Sequence, residues 1–380
     1  MILGSFTFRL NAFSESSEMR THWRAANTRI AWTALLLIAL ALPASIVGSD
    51  TPQDSKTALT VPVITMDGGR RLDFVNAFSS EKELNPSRSL WKRALDVVVG
   101  PPDYRRLICP YGITTDSKGR IIVTDPGAMA VHIFDLDKKK YRRLESGKGE
   151  DLQSPIGVAV DVQDNIYVTD SRSGKIFVFG SDGKFRRFIG SEAKNEGFFK
   201  RPTGIAIDKL RGELFVSDTL RNRIFVMDLQ GHVQRQIGGP GSGPGEFNFP
   251  TELVLFGNDL LVVDAMNFRV QILDRQGRFL AQFGARGSGI GSLYRPKGIS
   301  VDSEGNIYLV DALLETVQVF GRDGTLLYTF GRTGGGPGEL QLPSGLWIDA
   351  SDRIYLADSY NQRVQVFQFT SAKRARGDQH

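Results

Sequence analysis

One stretch of this chain decides its fold: Pro296-Lys-Gly-Ile-Ser-Val-Asp302-Ser-Glu-Gly-Asn-Ile-Tyr-Leu-Val-Asp311, continued by Val317-Gln-Val-Phe320 and Leu326-Leu-Tyr-Thr-Phe330. It holds four short apolar runs that are rich in β-branched or aromatic residues and alternate between two faces, which predicts four strands. Turns rich in Gly and Asx residues separate the first pair and the last pair. Four strands with short connections predict one antiparallel sheet.

The same pattern recurs along the chain at steps of 45 to 48 residues. The Pro that opens each copy is Pro110, Pro155, Pro202, Pro250, Pro296 or Pro343. The Asp that ends each second strand is Asp125, Asp170, Asp218, Asp264, Asp311 or Asp358. A period of this size with four strands per unit predicts an all-β fold, a six-bladed β-propeller of four-stranded antiparallel blades.

Each copy opens with Pro-x-Gly, except the fourth, which reads Pro250-Thr251-Glu252. Glycine suits a first strand beside the crowded central axis, where backbones approach closely. We interpret the strand-ending Asp as a turn-capping carboxylate that accepts backbone N–H bonds, and not as a metal ligand or a catalytic group.

Three copies continue with a further common pattern, in Asp218-Thr-Leu-Arg-Asn-Arg223-Ile-Phe-Val, Asp264-Ala-Met-Asn-Phe-Arg269-Val-Gln-Ile and Asp358-Ser-Tyr-Asn-Gln-Arg363-Val-Gln-Val-Phe367. This pattern resembles the NHL-repeat family, over roughly residues 107 to 369. The resemblance implies a six-bladed propeller of the bacterial, exported type. It implies little about activity, because this scaffold hosts many unrelated functions.

Charge is concentrated at the two ends of the chain. Of the formal net charge of +5, the first 49 residues contribute +2 and the basic tail at 371–380 contributes another +2. The body is therefore nearly neutral, which argues against a nucleic-acid-binding surface. Cys109 is the single cysteine, so no intrachain disulfide can form.

The N-terminal region has the layout of an export signal. Residues 30–49 carry no charge, the apolar run 30–42 follows Arg20, Arg24 and Arg29, and small residues come after it. This layout predicts an apolar helix within residues 1–49, either a cleaved signal peptide or an uncleaved anchor to the inner membrane formed by residues 30–47. The start is Met1 or Met19. We expect a periplasmic or extracellular protein.

The remaining segments are assigned around the repeats. Residues 50–70 are polar and predict a linker. The sixth copy lacks a fourth strand, and residues 71–79 resemble the fourth strand of another copy, so we expect them to close the last blade and to remove an exposed edge. Between this strand and the first copy, residues 87–99 predict a short amphipathic helix that packs on the propeller, with a lid or docking role as the alternative.

Similar propellers include enzymes, which sets the catalytic alternatives. The resemblance extends to three kinds of propeller enzyme: zinc lyases with several histidines, virginiamycin-type lyases with a histidine base, and calcium-dependent lactonases. Within the copies this chain offers only His132 and His232, too few for a zinc site. Glu252 is an isolated acidic residue, and we expect it to pair with Lys297 of the next copy. We therefore predict no catalytic residues, no metal and no cofactor.

The loops that enter first strands and leave second strands share one side of a propeller. The candidate binding residues in these loops and strand starts, with Leu313 and Leu314 beside them, are Arg172, Arg201, Arg221, Glu252, Met266, Phe268, Arg295, Lys297 and Tyr360. Arg, Met and aromatic residues are typical of protein interfaces. We predict a non-catalytic binding or scaffold protein of the cell envelope that recognises a protein or peptide. The alternatives are a metal-dependent lyase or lactone hydrolase with its site in the channel, and a structural envelope component.

Overall fold

The computed structural model describes residues 63–65, 70–84, 105–147, 149–190 and 198–370. They form a six-bladed β-propeller, as the repeat predicts. The apolar segment 30–47, the helix expected at 87–99 and the tail 371–380 lie outside the described residues. Among the residues that are described, no helix is long and apolar enough to cross a bilayer.

The strands follow the repeat in chain order. Before the repeats come β1 (Val63–Thr65) and β2 (Arg71–Phe78). Blade 1 contains β3 (Ile113–Thr115), β4 (Ile121–Asp125), β5 (Ala130–Asp135) and β6 (Lys140–Leu144), and is followed by a hairpin of β7 (Ser146–Gly147) and β8 (Glu150–Asp151). Blade 2 contains β9 (Pro155–Val160), β10 (Ile166–Asp170), β11 (Lys175–Phe179) and β12 (Phe185–Ile189). Blade 3 contains β13 (Pro202–Asp208), β14 (Glu213–Asp218), β15 (Arg223–Asp228) and β16 (Val233–Ile237).

The second half repeats this plan. Blade 4 contains β17 (Pro250–Phe256), β18 (Asp259–Asp264), β19 (Arg269–Asp274) and β20 (Phe279–Phe283). Blade 5 contains β21 (Pro296–Val301), β22 (Ile307–Asp311), β23 (Thr316–Phe320) and β24 (Leu326–Phe330). Blade 6 contains β25 (Leu346–Ile348), β26 (Arg353–Asp358) and β27 (Arg363–Thr370). Within the described residues, short 3-10 helices are formed by Glu81–Leu84, Thr219–Arg221 and Ala265–Asn267.

Blade 6 is completed from the N-terminal side of the repeats. Strand β2 pairs antiparallel with β27, from Arg71 opposite Thr370 to Phe78 opposite Val364. The linker prediction for residues 50–70 is wrong in one place, because β1 pairs with β2 and gives this sheet five strands. The β-branched residues 63–65 suit an edge strand.

The hydrophobic core consists of layers between neighbouring blades. Tyr308 and Val310 of blade 5, for example, pack with Ile354 and Leu356 of blade 6 in one buried cluster. Corresponding clusters join blades 6 and 1, 1 and 2, 2 and 3, 3 and 4, and 4 and 5. Each blade therefore contributes both of its faces to burial, which explains why its middle strands are buried along most of their length, and in blade 2 along all of it.

The glycine of the Pro-x-Gly pattern sets how closely the first strands approach around the axis. A Cβ atom on Gly157 would lie 2.2 Å from the carbonyl oxygen of Thr203 in the next blade. Gly112, Gly204, Gly298 and Gly345 face the next blade's carbonyl oxygen in the same way, at 2.0 to 2.5 Å from the added atom. Any side chain at these positions would push two blades apart.

A hydroxyl group fastens the first strands of the early blades to each other. Thr169 accepts a hydrogen bond from the N–H of Gly157 (2.8 Å) and donates one to the carbonyl of Thr203 in blade 3 (2.6 Å). Thr124 and Ser217 make the same pair of bonds in blades 1 and 3. Blades 4, 5 and 6 have Val263, Val310 and Ala357 at this position, so this bond is confined to the first half of the ring.

Replacement of Gly157 tests the role of this close approach. We expect Gly157→Ala to lower the free energy of unfolding by about 1–3 kcal/mol, because the new methyl group overlaps a backbone oxygen that cannot rotate away. The matched control is Gly239→Ala, where an added Cβ has nothing within 4 Å. Urea unfolding of the two variants and the parent protein measures the difference. Equal midpoints for both variants would refute the steric account.

Candidate functional site

Six buried aspartates organise one face of the propeller. The carboxylate of Asp125 accepts hydrogen bonds from the N–H groups of Ile108 (2.6 Å) and Cys109 (2.9 Å), in the loop that enters β3. It also accepts one from Ala128 (2.9 Å), in the loop that leaves β4. The other five aspartates bind the corresponding entering loops. The turn-capping interpretation is correct. The hydrogen bonds to the entering loops also join residues that are 16 to 18 positions apart in the sequence. We call the side formed by these two sets of loops the upper face.

Five of the predicted binding residues are exposed on the upper face. Three are in loops that leave second strands, and two directly precede the Pro that opens a copy. They are Arg172, Met266 and Tyr360, and Arg201 and Arg295. Leu313 is exposed as well, whereas Leu314 is half-buried. The structure therefore brings these residues to one side of the molecule.

The remaining predicted residues are already engaged by the protein. Arg221 stacks on the rings of Phe198 (5.2 Å) and Phe225 (5.7 Å) and is half-buried. Phe268 packs against the core between blades 4 and 5. Lys297 lies over the ring of Tyr111, at 4.9 Å from its centroid, and burial together with Arg295 lowers the pKa of Lys297 to about 8. These side chains support the face more than they present a free surface.

Sequence reasoning missed part of the exposed set. The residue two positions after the strand-ending Asp is exposed in all six blades. It is a glycine in blade 1 and a large side chain in the other five, as Arg172, Leu220, Met266, Leu313 and Tyr360. Leu220 was not predicted, although this spacing in the repeat would have found it. Phe249 and Leu342, each of which directly precedes the Pro that opens a copy, are also exposed and have positive φ values of 57° and 44°. No simple pattern reveals an exposed bulky residue in that conformation.

Glu252 lies in the central channel and not on the upper face. It takes the position of the ring glycine in blade 4, and its Oε1 lies 3.0 Å from where a Cβ on Gly204 would be. The expected ion pair with Lys297 is wrong, because Lys297 interacts with Tyr111 and the carboxylate of Glu252 contacts the N–H of Leu253 at 3.4 Å. Burial raises the pKa of Glu252 to about 7.

The channel has two unequal parts that meet at Glu252. Towards the upper face a gap of about 10 Å³ is lined by Glu252 with Tyr111, Thr251 and Lys297. Away from the upper face a cavity of about 110 Å³ runs along the first strands to Trp347 and Lys209. We call this second part the lower chamber. Its walls are mainly apolar and include Ile205, Leu253, Ile299 and Leu346.

The two histidines of the described blades lie away from the channel. His132 is buried in β5, with Nδ1 2.8 Å from the hydroxyl of Tyr141, and burial lowers its pKa to about 4. His232 is exposed in the turn before β16, with Nδ1 2.8 Å from Asp228. Within the described residues, no group of three or more His, Cys, Asp and Glu side chains is placed to hold a metal ion.

Two protein families match parts of the chain. The family described as NHL repeat matches residues 152–179 and 340–367. The family described as 6-bladed beta-propeller matches residues 206–255 and 251–317. No curated protein sequence matches the chain significantly.

Solved structures with this architecture have diverse described functions. Virginiamycin B lyase from Staphylococcus aureus superimposes with a TM-score of 0.51 at 15% identity, over 69% of this chain and 95% of that one. A gluconolactonase from Xanthomonas campestris gives 0.55 at 15%, over 81% and 98%. An auxiliary nutrient binding protein from Bacteroides thetaiotaomicron gives 0.55 at 13%, over 70% of each chain. At such identities these similarities show the fold alone.

The carboxyl group of Glu252 predicts a pH dependence of stability. The folded protein holds this proton up to about pH 7, whereas the ordinary pKa is 4.5, so the free energy of unfolding should fall as the pH rises through this window. The fall attributable to Glu252 is up to about 3 kcal/mol. The Glu252→Gln variant should lack this fall in the free energy of unfolding.

Urea unfolding of both proteins between pH 4.5 and 8 measures the effect. His132 titrates in the opposite direction in both proteins, so its contribution cancels in the difference between them. A difference that stays constant over this range would contradict the assignment.

Proposed function

We propose that this NHL-repeat six-bladed β-propeller is a non-catalytic binding protein that recognises a protein or peptide through its upper face. The observation that carries the proposal is the repetition of a large exposed side chain two residues after the buried Asp in successive blades. The exposed fractions are 47% for Leu220, 53% for Met266, 44% for Leu313 and 65% for Tyr360. Exposed apolar and aromatic side chains gathered on one side of a soluble fold are typical of an interaction site.

The upper face combines exposed cations with exposed apolar side chains. Its exposed cations include Arg172, Lys200 and Arg201 of blades 2 and 3, and Arg286, Arg295 and Arg332 in the loops that enter blades 5 and 6. Its exposed apolar residues are concentrated in the loops of blades 4 to 6 and include Phe249, Met266, Tyr294, Leu313, Leu342 and Tyr360. A peptide or protein edge with an acidic part and an apolar part matches this combination.

Backbone strain in two loops supports a binding role. Phe249 and Leu342 are held at positive φ, a conformation that costs bulky L-residues about 1 kcal/mol or more. Side chains of the preceding blade stabilise both loops, since Asn222 accepts a bond from the N–H of Phe249 (2.8 Å) and Glu315 one from that of Leu342 (3.3 Å). The protein thus maintains two exposed apolar side chains in fixed, unfavourable positions.

The channel favours binding over the catalytic alternatives. A metal-dependent lyase or lactone hydrolase needs several convergent ligands. The described channel instead brings one carboxyl group against apolar walls, and both histidines are elsewhere. The nutrient-binding neighbour is compatible with a binding role for this fold. The charged and apolar pattern of residues 20–49 supports a location in the cell envelope, where the partner would also be found.

Paired charge substitutions on opposite sides of the propeller test this proposal. Leu313→Glu places a carboxylate in the apolar part of the upper face, and we expect it to weaken partner binding at least tenfold. Leu210→Glu is the matched control, because Leu210 is fully exposed in the turn between the first two strands of blade 3, on the opposite side.

The partner is first identified by site-specific photo-crosslinking in envelope extract, from positions 266, 313 and 360, with positions 162 and 210 as controls. Affinities of the purified pair are then measured by calorimetry at low and high salt. Added salt should weaken binding, because the cations of blades 2 and 3 contribute. Equal affinities of Leu313→Glu and Leu210→Glu would refute the upper face as the binding surface.

A further inference from the structure

The lower chamber is a second candidate site, separate from the upper face. It lies on the other side of the ring where the first strands meet most closely, and its lining combines aliphatic side chains with the indole of Trp347. The indole N–H donates to the hydroxyl of Thr115 (2.9 Å), which fixes the ring in the chamber wall. A well-formed apolar cavity with one charged group inside it is the usual form of a small-molecule site.

Glu252 is the charged group of the chamber, and it has no ion-pair partner among the described residues. Lys297 lines the gap above Glu252, but its ammonium group lies over Tyr111 and forms no ion pair with this carboxylate. Lys209 lies at the far end of the chamber and is exposed. A carboxylate held against apolar walls without a counter-charge is costly, so a cation that enters the chamber would gain a strong interaction.

We propose that the lower chamber binds a small organic ammonium ion, with its charged group at the Glu252 carboxylate and its apolar body against Leu253, Ile299 and Trp347. The aliphatic walls exclude strongly hydrated ions, and the single carboxylate cannot replace the oxygen shell of a divalent metal. An alkyl or aryl chain removes apolar wall from water, and the indole face adds an attraction for a cation.

Glu252, which would contact the ligand, is also the position at which blade 4 departs from the Pro-x-Gly pattern of the repeat. The five other copies have glycine at this position, and the repeat needs no side chain there. Glu252 therefore introduces an acid into a ring that its neighbours keep free of side chains. The two N–H groups that face it, of Leu253 and Ile205, leave the carboxylate without a charged partner.

Binding should depend on pH in a defined direction. The carboxyl group of Glu252 ionises with a pKa of about 7, whereas an alkylammonium ion stays charged throughout this range. Affinity should therefore rise about tenfold between pH 6 and pH 8. The ionisable groups that face Glu252 are Tyr111, Lys297 and Lys209. Tyr111, with a pKa of about 12, stays neutral, and Lys297, with a pKa of about 8, loses charge in the same direction.

Calorimetry with hexylammonium and with hexanol tests the proposal on the full chain. Hexylammonium should bind the parent protein more tightly than hexanol, and Glu252→Gln should lose at least tenfold in affinity for hexylammonium while its affinity for hexanol changes little. Asp137→Asn is the charge-matched control, because Asp137 is exposed in a turn of blade 1. Equal affinities for the two probes, or an unchanged Glu252→Gln, would show an apolar cavity only and overturn the proposal, as would the binding of neither probe.

A titration of the parent protein keeps the test valid if Glu252→Gln fails to fold. Carbon-detected NMR of labelled glutamate follows the Glu252 carboxyl, and hexylammonium should lower its apparent pKa whereas hexanol should not. An unchanged pKa at saturating hexylammonium would contradict the ion pair. Neither measurement depends on the upper face, so its outcome is independent of the proposed protein partner.

Discussion

The buried aspartate at the end of each second strand is the interaction on which the rest of the structure depends. Each carboxylate is fully buried and accepts hydrogen bonds from backbone N–H groups in the loop that enters the first strand of its blade. Hydrogen bonds to a charged acceptor are stronger than neutral ones, and burial makes their loss costly. Six such anchors hold the two sets of loops side by side. The anchored loops therefore hold the residue two positions after the Asp at the same place on the upper face in successive blades.

The ring glycines impose the second constraint, which acts at the axis. Because a carbonyl oxygen of the next blade occupies the space of a Cβ atom, five of the six first strands must lack a side chain there. Blade 4 is the exception, because Glu252 takes the place of the glycine there. Blade 4 is thus the one that contributes a carboxyl group to the channel.

The two candidate sites follow from these two constraints and use different parts of the fold. The upper face is built by loops, whose sequence is free to vary as long as the aspartate anchors remain. The lower chamber is built by first strands, whose backbone is fixed by the ring. A surface of exposed Leu, Met, Tyr and Arg suits a macromolecule, whereas an apolar cavity with one acid suits a small molecule. One propeller can therefore carry both candidate sites, because they use different residues.

The sequence by itself determined the number of blades, their strands and the role of the aspartates, because a period of 45 to 48 residues is a local property repeated six times. It also predicted a closing strand at 71–79, since the sixth copy lacks a strand, and Arg71–Phe78 takes that place. The structure alone decided that residues 63–65 add a fifth strand, and that Arg221 and Phe268 support the face from within. The structure alone also showed that Glu252 and Lys297 do not form the expected ion pair. Pairing around the axis depends on where side chains point in three dimensions. The Lys297 ammonium group of blade 5 lies over the ring of Tyr111 in blade 1, two blades further round the ring, and no spacing along the chain encodes that contact.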